Sequence, residues 1–241
     1  MIRPDEIKMQ VREHYAARVT SGSSCCGDGE ASCCAPTSAE MIEGFDGPSL
    51  GCGTPLQYAA VRPGEVVVDL GSWAGRETLL AAREAGSAGR AVGIDMTPEM
   101  IDKARENARR TGAGNAEFRL GEIEHVPLDE GEADVVISNC VINLVPDKRA
   151  AFREAFRILR RGGRMVVSDI VSSGPLPQAL RESMEAWAGC VAGALDVDDY
   201  LEAIRGAGFT RVEVLEPAER GPLPVFSATI RAVKPPGVSR R

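Results

Sequence analysis

The chain of 241 residues is long enough for one sizeable α/β domain, and its 44% hydrophobic and 26% charged residues are ordinary for a globular protein. Its net charge of −7 repels phosphate backbones, which argues against nucleic acid as a partner. No apolar stretch is long enough to cross a bilayer and no signal-peptide core follows the N-terminus, so we expect a cytoplasmic protein with no membrane partner.

The cysteine content gives a second expectation. There are seven cysteines, and in the cytoplasm we expect them to be reduced thiols that can act as ligands or redox groups. The odd number also argues against a complete set of disulfides.

The N-terminal region predicts a helix and then an irregular segment. Residues 4–18 have the pattern of a charged helix. Residues 19–38 have too little apolar content to offset the entropy of ordering, so we expect a mobile loop there. Short helices are expected over 39–61, around the turn Gly51-Cys52-Gly53. The mobile loop contains Cys25, Cys26, Cys33 and Cys34.

From Glu65 onward, strands alternate with helices. The β-branched run 65–70 is typical of a buried parallel strand. Further strands are predicted at 90–95, 116–120, 133–138 and 164–169. Helices are predicted over about 74–86, 98–112, 147–160, 177–188 and 196–207. Two last strands, near 210–216 and 224–232, are expected to pair as a hairpin at the sheet edge. This alternation predicts an α/β fold whose mostly parallel sheet has helices on both faces.

Ligands of such sheets bind beyond the carboxyl ends of the strands. The segment Asp69-Leu-Gly-Ser-Trp-Ala-Gly75 follows the first strand, and its glycines allow a sharp turn and the close approach of a ligand. Asp95 ends the second strand, where a carboxylate can accept hydrogen bonds from ribose hydroxyls. Gly121-Glu-Ile123 ends the third strand, where an apolar side chain can lie against adenine. Ser138-Asn139 ends the fourth strand.

Together these positions resemble the class I methyltransferase fold, which is Rossmann-like, over roughly residues 60–216. The resemblance implies S-adenosylmethionine as the cofactor. Its methionine part would lie near Asp69, Gly71, Ser72 and Gly75. Its ribose would lie near Asp95 and Met96, and its adenine near Glu122 and Ile123, with Asn139 also among the binding positions. The alternative is that these residues are strand-end turns with solvated acids.

The chain departs from the family at one position. Class I methyltransferases usually have glycine where this chain has Trp73. The side chain could crowd the methionine end of the donor, or it could point away and cover the pocket.

Three further segments narrow the acceptor. They are Gly51-Cys-Gly-Thr-Pro55, Ser138-Asn-Cys-Val-Ile-Asn-Leu144 and Ala188-Gly-Cys-Val-Ala-Gly-Ala-Leu195. With the Cys-rich loop and the run Asp95–Met100, they closely resemble arsenite methyltransferases over nearly the whole chain. The resemblance implies that Cys52, Cys140 and Cys190 are the catalytic residues and the ligands of trivalent arsenic.

Thiolate suits this chemistry because trivalent arsenic is soft and thiophilic. Arsenic with three ligands keeps a lone pair, which can attack a sulfonium methyl group without a general base. That agrees with a chain whose only histidines are His14 and His125. Methylation raises arsenic to the pentavalent state, and nearby thiols can reduce it again by forming a disulfide. The resemblance implies glutathione or thioredoxin as the external reductant, and Cys25, Cys26, Cys33 or Cys34 as the disulfide partner of Cys52.

The resemblance also divides the chain into four regions. Residues 1–61 would form the helix and Cys-rich loop, and residues 62–174 the S-adenosylmethionine-binding domain. Residues 175–233 would cap the acceptor side, and residues 234–241 would be a disordered tail. We expect a monomer.

Three other interpretations stay open. Lone cysteines such as Cys140 and Cys190 are often small buried apolar residues, so the chain could methylate another small molecule. It could also bind metalloids without catalysis, or hold zinc, although adjacent cysteines lack the spacing common in zinc fingers.

Overall fold

The computed structural model describes residues 3–21, 42–47, 51–181, 183, 186–187, 190–217 and 224–237. The strands are β1 (Val66–Leu70), β2 (Arg90–Asp95), β3 (Ala116–Leu120), β4 (Ala133–Asn139), β5 (Leu159–Ser172), β6 (Thr210–Pro217) and β7 (Val225–Val233). The helices with described bounds are α1 (Pro4–Ser21), α2 (Pro55–Ala59), α3 (Arg76–Ala85), α4 (Pro98–Thr111), α5 (Lys148–Ile158), α6 (Gln178–Arg181) and α7 (Val197–Gly206), with a 3-10 turn at Ile142–Leu144.

The strands form one sheet with the order β3-β2-β1-β4-β5-β7-β6. The first five strands pair in parallel, whereas β7 pairs antiparallel with both β5 and β6. The predicted class I methyltransferase architecture, with its C-terminal hairpin, is therefore confirmed. The order along the sheet turns back between β1 and β4, which is the switch point where α/β sheets bind ligands.

Alternate residues of the central strands pack on opposite faces of the sheet. Val67 and Val166 contact helices α2 and α3 on one face. Val68 and Val167 belong to a larger cluster on the other face, which includes Phe152 of α5 and Tyr200 of α7. Both faces of a parallel sheet must be covered, and this is why the strands have continuous apolar runs.

The C-terminal part differs from the sequence prediction. Helix α5 ends at Ile158 and β5 begins at Leu159, so the predicted boundary at residues 160–164 was wrong. Lys234, predicted to lie in the disordered tail, is buried. Its backbone exchanges hydrogen bonds with Gly162 and Gly163, so the pairing between β5 and the C-terminal strand continues one residue beyond β7. Its ammonium donates to the carbonyls of Phe156 and Leu159 at the end of α5, a favourable place for a cation.

Helix α1 extends beyond its predicted end at residue 18 into the segment predicted to be a loop. One residue in each turn is buried, namely Ile7, Val11 and Tyr15, so this stripe packs on the body of the domain. The loop cysteines at 25, 26, 33 and 34 and the tail residues 238–241 lie outside the described residues. None of the described helices combines the length and apolar character needed to span a membrane.

Candidate active site

Two of the predicted arsenic ligands lie side by side at the carboxyl ends of β1, β2 and β4, which we call the carboxyl edge. Cys140 follows β4 directly, and Cys52 lies in a loop that folds over the same edge. The two form a disulfide, with Cα atoms 5.8 Å apart. The expectation that all cysteines are reduced was therefore wrong for this pair. Its separation of 88 residues explains why the sequence did not indicate the pairing.

Asn139 holds the Cys52 loop in place. Its Oδ1 accepts from the backbone N–H of Cys52 at 3.1 Å, and its Nδ2 donates to the carbonyl of Gly53 at 2.8 Å. The approach is so close that a Cβ on Gly51 would lie 2.5 Å from the Asn139 side chain, and a Cβ on Gly53 would lie 2.5 Å from Ser168. The Gly-Cys-Gly sequence therefore permits the contact. Asn139, predicted among the cofactor-binding positions, thus holds the Cys52 loop and does not line the cavity described below.

Three residues of the carboxyl edge have left-handed backbone conformations. Cys140, Cys190 and Trp73 have φ values of 59°, 62° and 51°. Such values are uncommon for residues other than glycine and cluster at functional sites. All three side chains belong to one apolar cluster at this edge, together with Cys52, Met96 and Tyr15.

Cys190 reaches the same place from the segment before α7. It is buried and is not part of the disulfide, and its Sγ donates to the carbonyl of Cys140 at 3.2 Å. A carboxylate oxygen of Asp169 lies within 4.8 Å of the sulfurs of both Cys52 and Cys140. The Cys190 sulfur does not belong to this group, so it lies more than 4.8 Å from at least one of the other two sulfurs.

Asn143 ties the two cysteine segments together. Its Nδ2 donates to the carbonyls of Ile170 and Cys190, at 2.5 Å and 3.2 Å, and its backbone N–H donates to Asp169. Gly193 packs directly on it, because a Cβ there would lie 1.9 Å from the Asn143 carbonyl oxygen. The sequence suggested no chemistry for Asn143, yet it fixes the position of Cys190 relative to Cys140.

Two buried ionisable groups lie behind the sulfurs. Burial raises the pKa of Asp169 to about 7, although the Lys148 cation, the Tyr200 hydroxyl and two backbone N–H groups oppose the rise. Burial lowers the pKa of Lys148 to about 8, against the attraction of Asp169 and Cys190. The Lys148 ammonium donates to the carbonyls of Asn143 and Val145 and lies 5.3 Å from the Trp187 ring centroid. Its positive charge can favour a thiolate at Cys190.

A cavity of about 40 Å³ lies beside the thiols at the carboxyl edge. It is lined by Val11, Tyr15, Gly71, Trp73, Asp95, Met96, Thr97, Gly121, Ile123, Glu124, Val141, Leu144 and Val145. A larger, open groove of about 570 Å³ lies away from it along α4 and β3, and contains none of the predicted site residues.

The polar atoms of this cavity suit S-adenosylmethionine. The Asp95 carboxylate accepts from the backbone N–H groups of Trp73 and Thr97, at 3.0 Å and 2.9 Å, and can accept further bonds from ribose hydroxyls. Burial raises the pKa of this carboxyl group. Trp73 Nε1, on the cavity wall, is buried and has no hydrogen-bond partner among the described residues, so it can donate to a polar ligand. The Oγ of the neighbouring Ser72 is likewise buried without a partner there, but Ser72 does not line the cavity. Ile123 contributes an apolar wall to the cavity.

Comparisons with known proteins agree with this geometry. Residues 62–208 match the family of methyltransferase domains. Arsenite methyltransferase of Halobacterium salinarum is 46% identical over 88% of this chain and 59% of its own length, and the human enzyme is 38% identical over 59% and 40%. The crystal structure of an arsenic(III) S-adenosylmethionine methyltransferase from Chlamydomonas reinhardtii is 35% identical, with a TM-score of 0.66, over 78% of this chain and 68% of that one.

This chain belongs to the arsenite methyltransferase family. It spans about three fifths of the length of the archaeal relative and less of the human one. The fold and family expected from sequence are therefore confirmed, and the assignment of individual residues depends on the geometry described above.

Two residues assigned to the donor from the class I methyltransferase resemblance face other partners. The Asp69 carboxylate accepts from the Thr78 hydroxyl at 2.7 Å and does not line the cavity. Glu122 pairs with Lys8 of α1 at 2.7 Å, and its neighbour Glu124 lines the cavity instead. Gly75 precedes α3 and packs against Phe118, so its role is to let the loop turn. Of the residues predicted to bind the donor, Gly71, Asp95, Met96 and Ile123 line the cavity.

Sequence reasoning missed the contribution of α1 to the donor side. Val11 and Tyr15 form part of the cavity wall, and Lys8 pairs with Glu122 and Glu124 at 2.7 Å and 3.0 Å. The apolar spacing of residues 7, 11 and 15 indicated a buried face. Nothing in the sequence indicated that this face covers the cavity.

We expect Gly193→Ala to destabilise the fold by about 3 kcal/mol, because the added Cβ forces the Asn143 backbone to move. The free energy of unfolding in urea measures the effect. Gly206→Ala is the matched control, since a Cβ there meets nothing within 4 Å. Equal stability of the two variants would show that the contact between Gly193 and Asn143 is not tight.

We expect Asp69→Asn to flatten the dependence of stability on pH. Burial raises the pKa of Asp69 from 3.8 to about 7, so the folded chain keeps a proton there that the unfolded chain releases. The stability contributed by this group is full below pH 4 and falls as the pH rises to 7. Between about pH 5 and pH 7 the native chain should lose on the order of 2 kcal/mol more than the variant.

Urea unfolding at both pH values tests this expectation. Asp147→Asn, at the exposed N-cap of α5, should retain the pH dependence of the native chain. Parallel curves for the native chain and Asp69→Asn would contradict the prediction.

Proposed function

We propose that this chain transfers the methyl group of S-adenosylmethionine to trivalent arsenic, arsenite or methylarsenite, held by Cys52, Cys140 and Cys190. The observation that carries the proposal is that these cysteines and the donor cavity share one buried cluster. The left-handed backbone conformations of Cys140 and Cys190 support the proposal, because such strained conformations cluster at functional sites.

The thiols bind the substrate by exchange. Each thiol that forms an As–S bond replaces one As–O bond, and its proton leaves with the hydroxide as water. The disulfide between Cys52 and Cys140 must first take up two electrons and two protons, for which glutathione or thioredoxin is the proposed reductant. The Cys190 side chain must also turn from the Cys140 carbonyl toward the other two sulfurs.

The donor would lie against Gly71, Asp95, Met96 and Ile123, as their places in the cavity suggest. When bound, S-adenosylmethionine supplies an electrophilic methyl group on a sulfonium, which the arsenic lone pair can attack without a general base. The chain's main task is to orient the arsenic, and orientation alone can contribute roughly 7–11 kcal/mol. Lys148 supports this task by favouring the thiolate of Cys190.

The product of methyl transfer is pentavalent, and two thiols can reduce it. They would lose two electrons and two protons and become a disulfide, while arsenic returns to the trivalent state. We propose that Cys52 takes part, with a partner among Cys25, Cys26, Cys33 and Cys34 or with Cys140. Its bond to Cys140 shows that the second pairing is sterically possible. The monomeric state and the identity of the reductant remain predictions.

The decisive experiment is incubation of the reduced chain with arsenite, glutathione and S-adenosylmethionine, followed by speciation of the arsenic. Methylated arsenicals are expected. Cys140→Ser and Cys190→Ser should each lower the rate by about 100-fold or more, because the arsenic loses an orienting ligand. Both variants should still bind the donor in calorimetric titration. Ala88→Ser, in an exposed turn far from the carboxyl edge, is the matched control.

The other outcomes separate the alternatives. Full activity in both serine variants would favour a methyltransferase for another small molecule. Arsenite binding without a methylated product would favour a metalloid-binding protein. Either result would overturn the proposal.

A further inference from the structure

The loop after β1 has a tryptophan in a conformation that glycine adopts without strain. Trp73 has φ of 51°, and its backbone N–H is fixed by the Asp95 carboxylate at 3.0 Å. A bulky residue with positive φ is a genuine outlier, so its side chain has a reason to be there.

The Trp73 ring contacts Tyr15 of α1, and both residues line the cavity. Their ring centroids are 4.2 Å apart, with the planes tilted by 58°. Tyr15 is only 4% exposed, although it lies on the outermost helix of this edge. Lys8, two turns earlier on α1, binds Glu122 and Glu124 and so holds the helix over the cavity.

The contact between Trp73 and Tyr15 leaves too little space for the donor. The cavity between these rings and the carboxyl edge is about 40 Å³, whereas sites for small molecules and cofactors typically enclose roughly 300–1,000 Å³. Gly71 and Asp95 are part of the sheet edge and cannot move far. The two aromatic side chains and α1 are the parts of the wall that can separate.

We propose that Trp73 and Tyr15 form an aromatic gate over the donor site, which makes Trp73 a determinant of how tightly and how fast the donor binds. The tilted contact between the two rings favours the closed gate. The buried indole N–H of Trp73, which has no hydrogen-bond partner among the described residues, opposes it. This inference rests on the proposed function, because S-adenosylmethionine is the ligand that the gate would control.

When only a fraction of the molecules has an open gate, the apparent affinity for the donor is the intrinsic affinity multiplied by that fraction. If the closed form outweighs the open form about tenfold, Trp73→Gly should bind S-adenosylmethionine and S-adenosylhomocysteine about tenfold more tightly. Tyr15→Ala should have a similar effect, and the double variant should gain no more than either single variant, because both changes open the same gate. Calorimetry measures the affinities, and stopped-flow mixing measures the association rates.

Two control variants separate gating from general effects. Arg211→Gly also replaces a left-handed residue by glycine, but on β6 away from the cavity. Met9→Ala changes an exposed residue of α1. Both should bind like the native chain. Thermal unfolding of every variant shows whether it is folded, and Trp73→Phe, which keeps a smaller ring, should give an intermediate affinity.

The possible outcomes are distinct. Three results would overturn the gate and leave the proposed function standing. The native chain could bind the donor with the same affinity and rate as Trp73→Gly, that variant could bind more weakly, or the effects could add in the double variant. Failure of the native chain and all variants to bind either ligand would overturn the proposed function and the gate with it. Tight binding by the single variants, with no further gain in the double variant, would support the gate.

Discussion

Cys140 and Cys190 are held in left-handed backbone conformations, and the other features of the carboxyl edge follow from this constraint. Such a conformation costs a non-glycine residue about 1–3 kcal/mol, so it persists only where surrounding contacts fix it. Cys140 is fixed by its backbone N–H, which donates to Ser168 of the neighbouring strand at 2.8 Å. Cys190 is fixed by Asn143, which receives its own support from β5. Contacts to β5 therefore fix the backbone of both cysteines, directly for Cys140 and through Asn143 for Cys190.

The groups that fix the cysteines are buried and polar, and most of them have hydrogen-bond partners; among the described residues the Asn143 Oδ1 has none. Asp169 accepts from the backbone N–H groups of Asn143 and Ile170 and from the Tyr200 hydroxyl, which accounts for a carboxyl group with almost no exposure. Lys148 is satisfied by the carbonyls at the start of α5. Buried networks of this kind specify one arrangement strongly, because a half-satisfied network costs more than an apolar core. The loss of any member should disturb the cysteine geometry before it disturbs the sheet.

Much of the fold could be predicted from the sequence, and less of the site. Continuous β-branched runs, separated by helices, predict the parallel strands because both faces of such a sheet are covered. The glycine turn and Asp95 indicate a ligand site by their place at the ends of strands. The pairing of Cys52 with Cys140 is not readable, since it depends on a loop folding back across 88 residues. Nor is the role of Asn139, because an amide at a strand end suits a ligand and a loop equally well. The spacing of the apolar residues predicts that Tyr15 is buried, but it does not show which residues Tyr15 packs against.

The charges around the sulfurs explain why a soft cation suits this edge. Two thiolates and the Asp169 carboxylate within 4.8 Å of one another would repel strongly in a buried setting. Such a group is stable when the thiols are protonated, when the sulfurs are joined as a disulfide, or when a cation takes their charge. Under the proposed function, trivalent arsenic would provide the third state by converting thiolates into neutral As–S bonds while keeping the lone pair needed for attack. Neither histidine of the chain belongs to this group. In the proposed reaction this does not matter for methyl transfer, because the arsenic lone pair is the nucleophile and no proton leaves it.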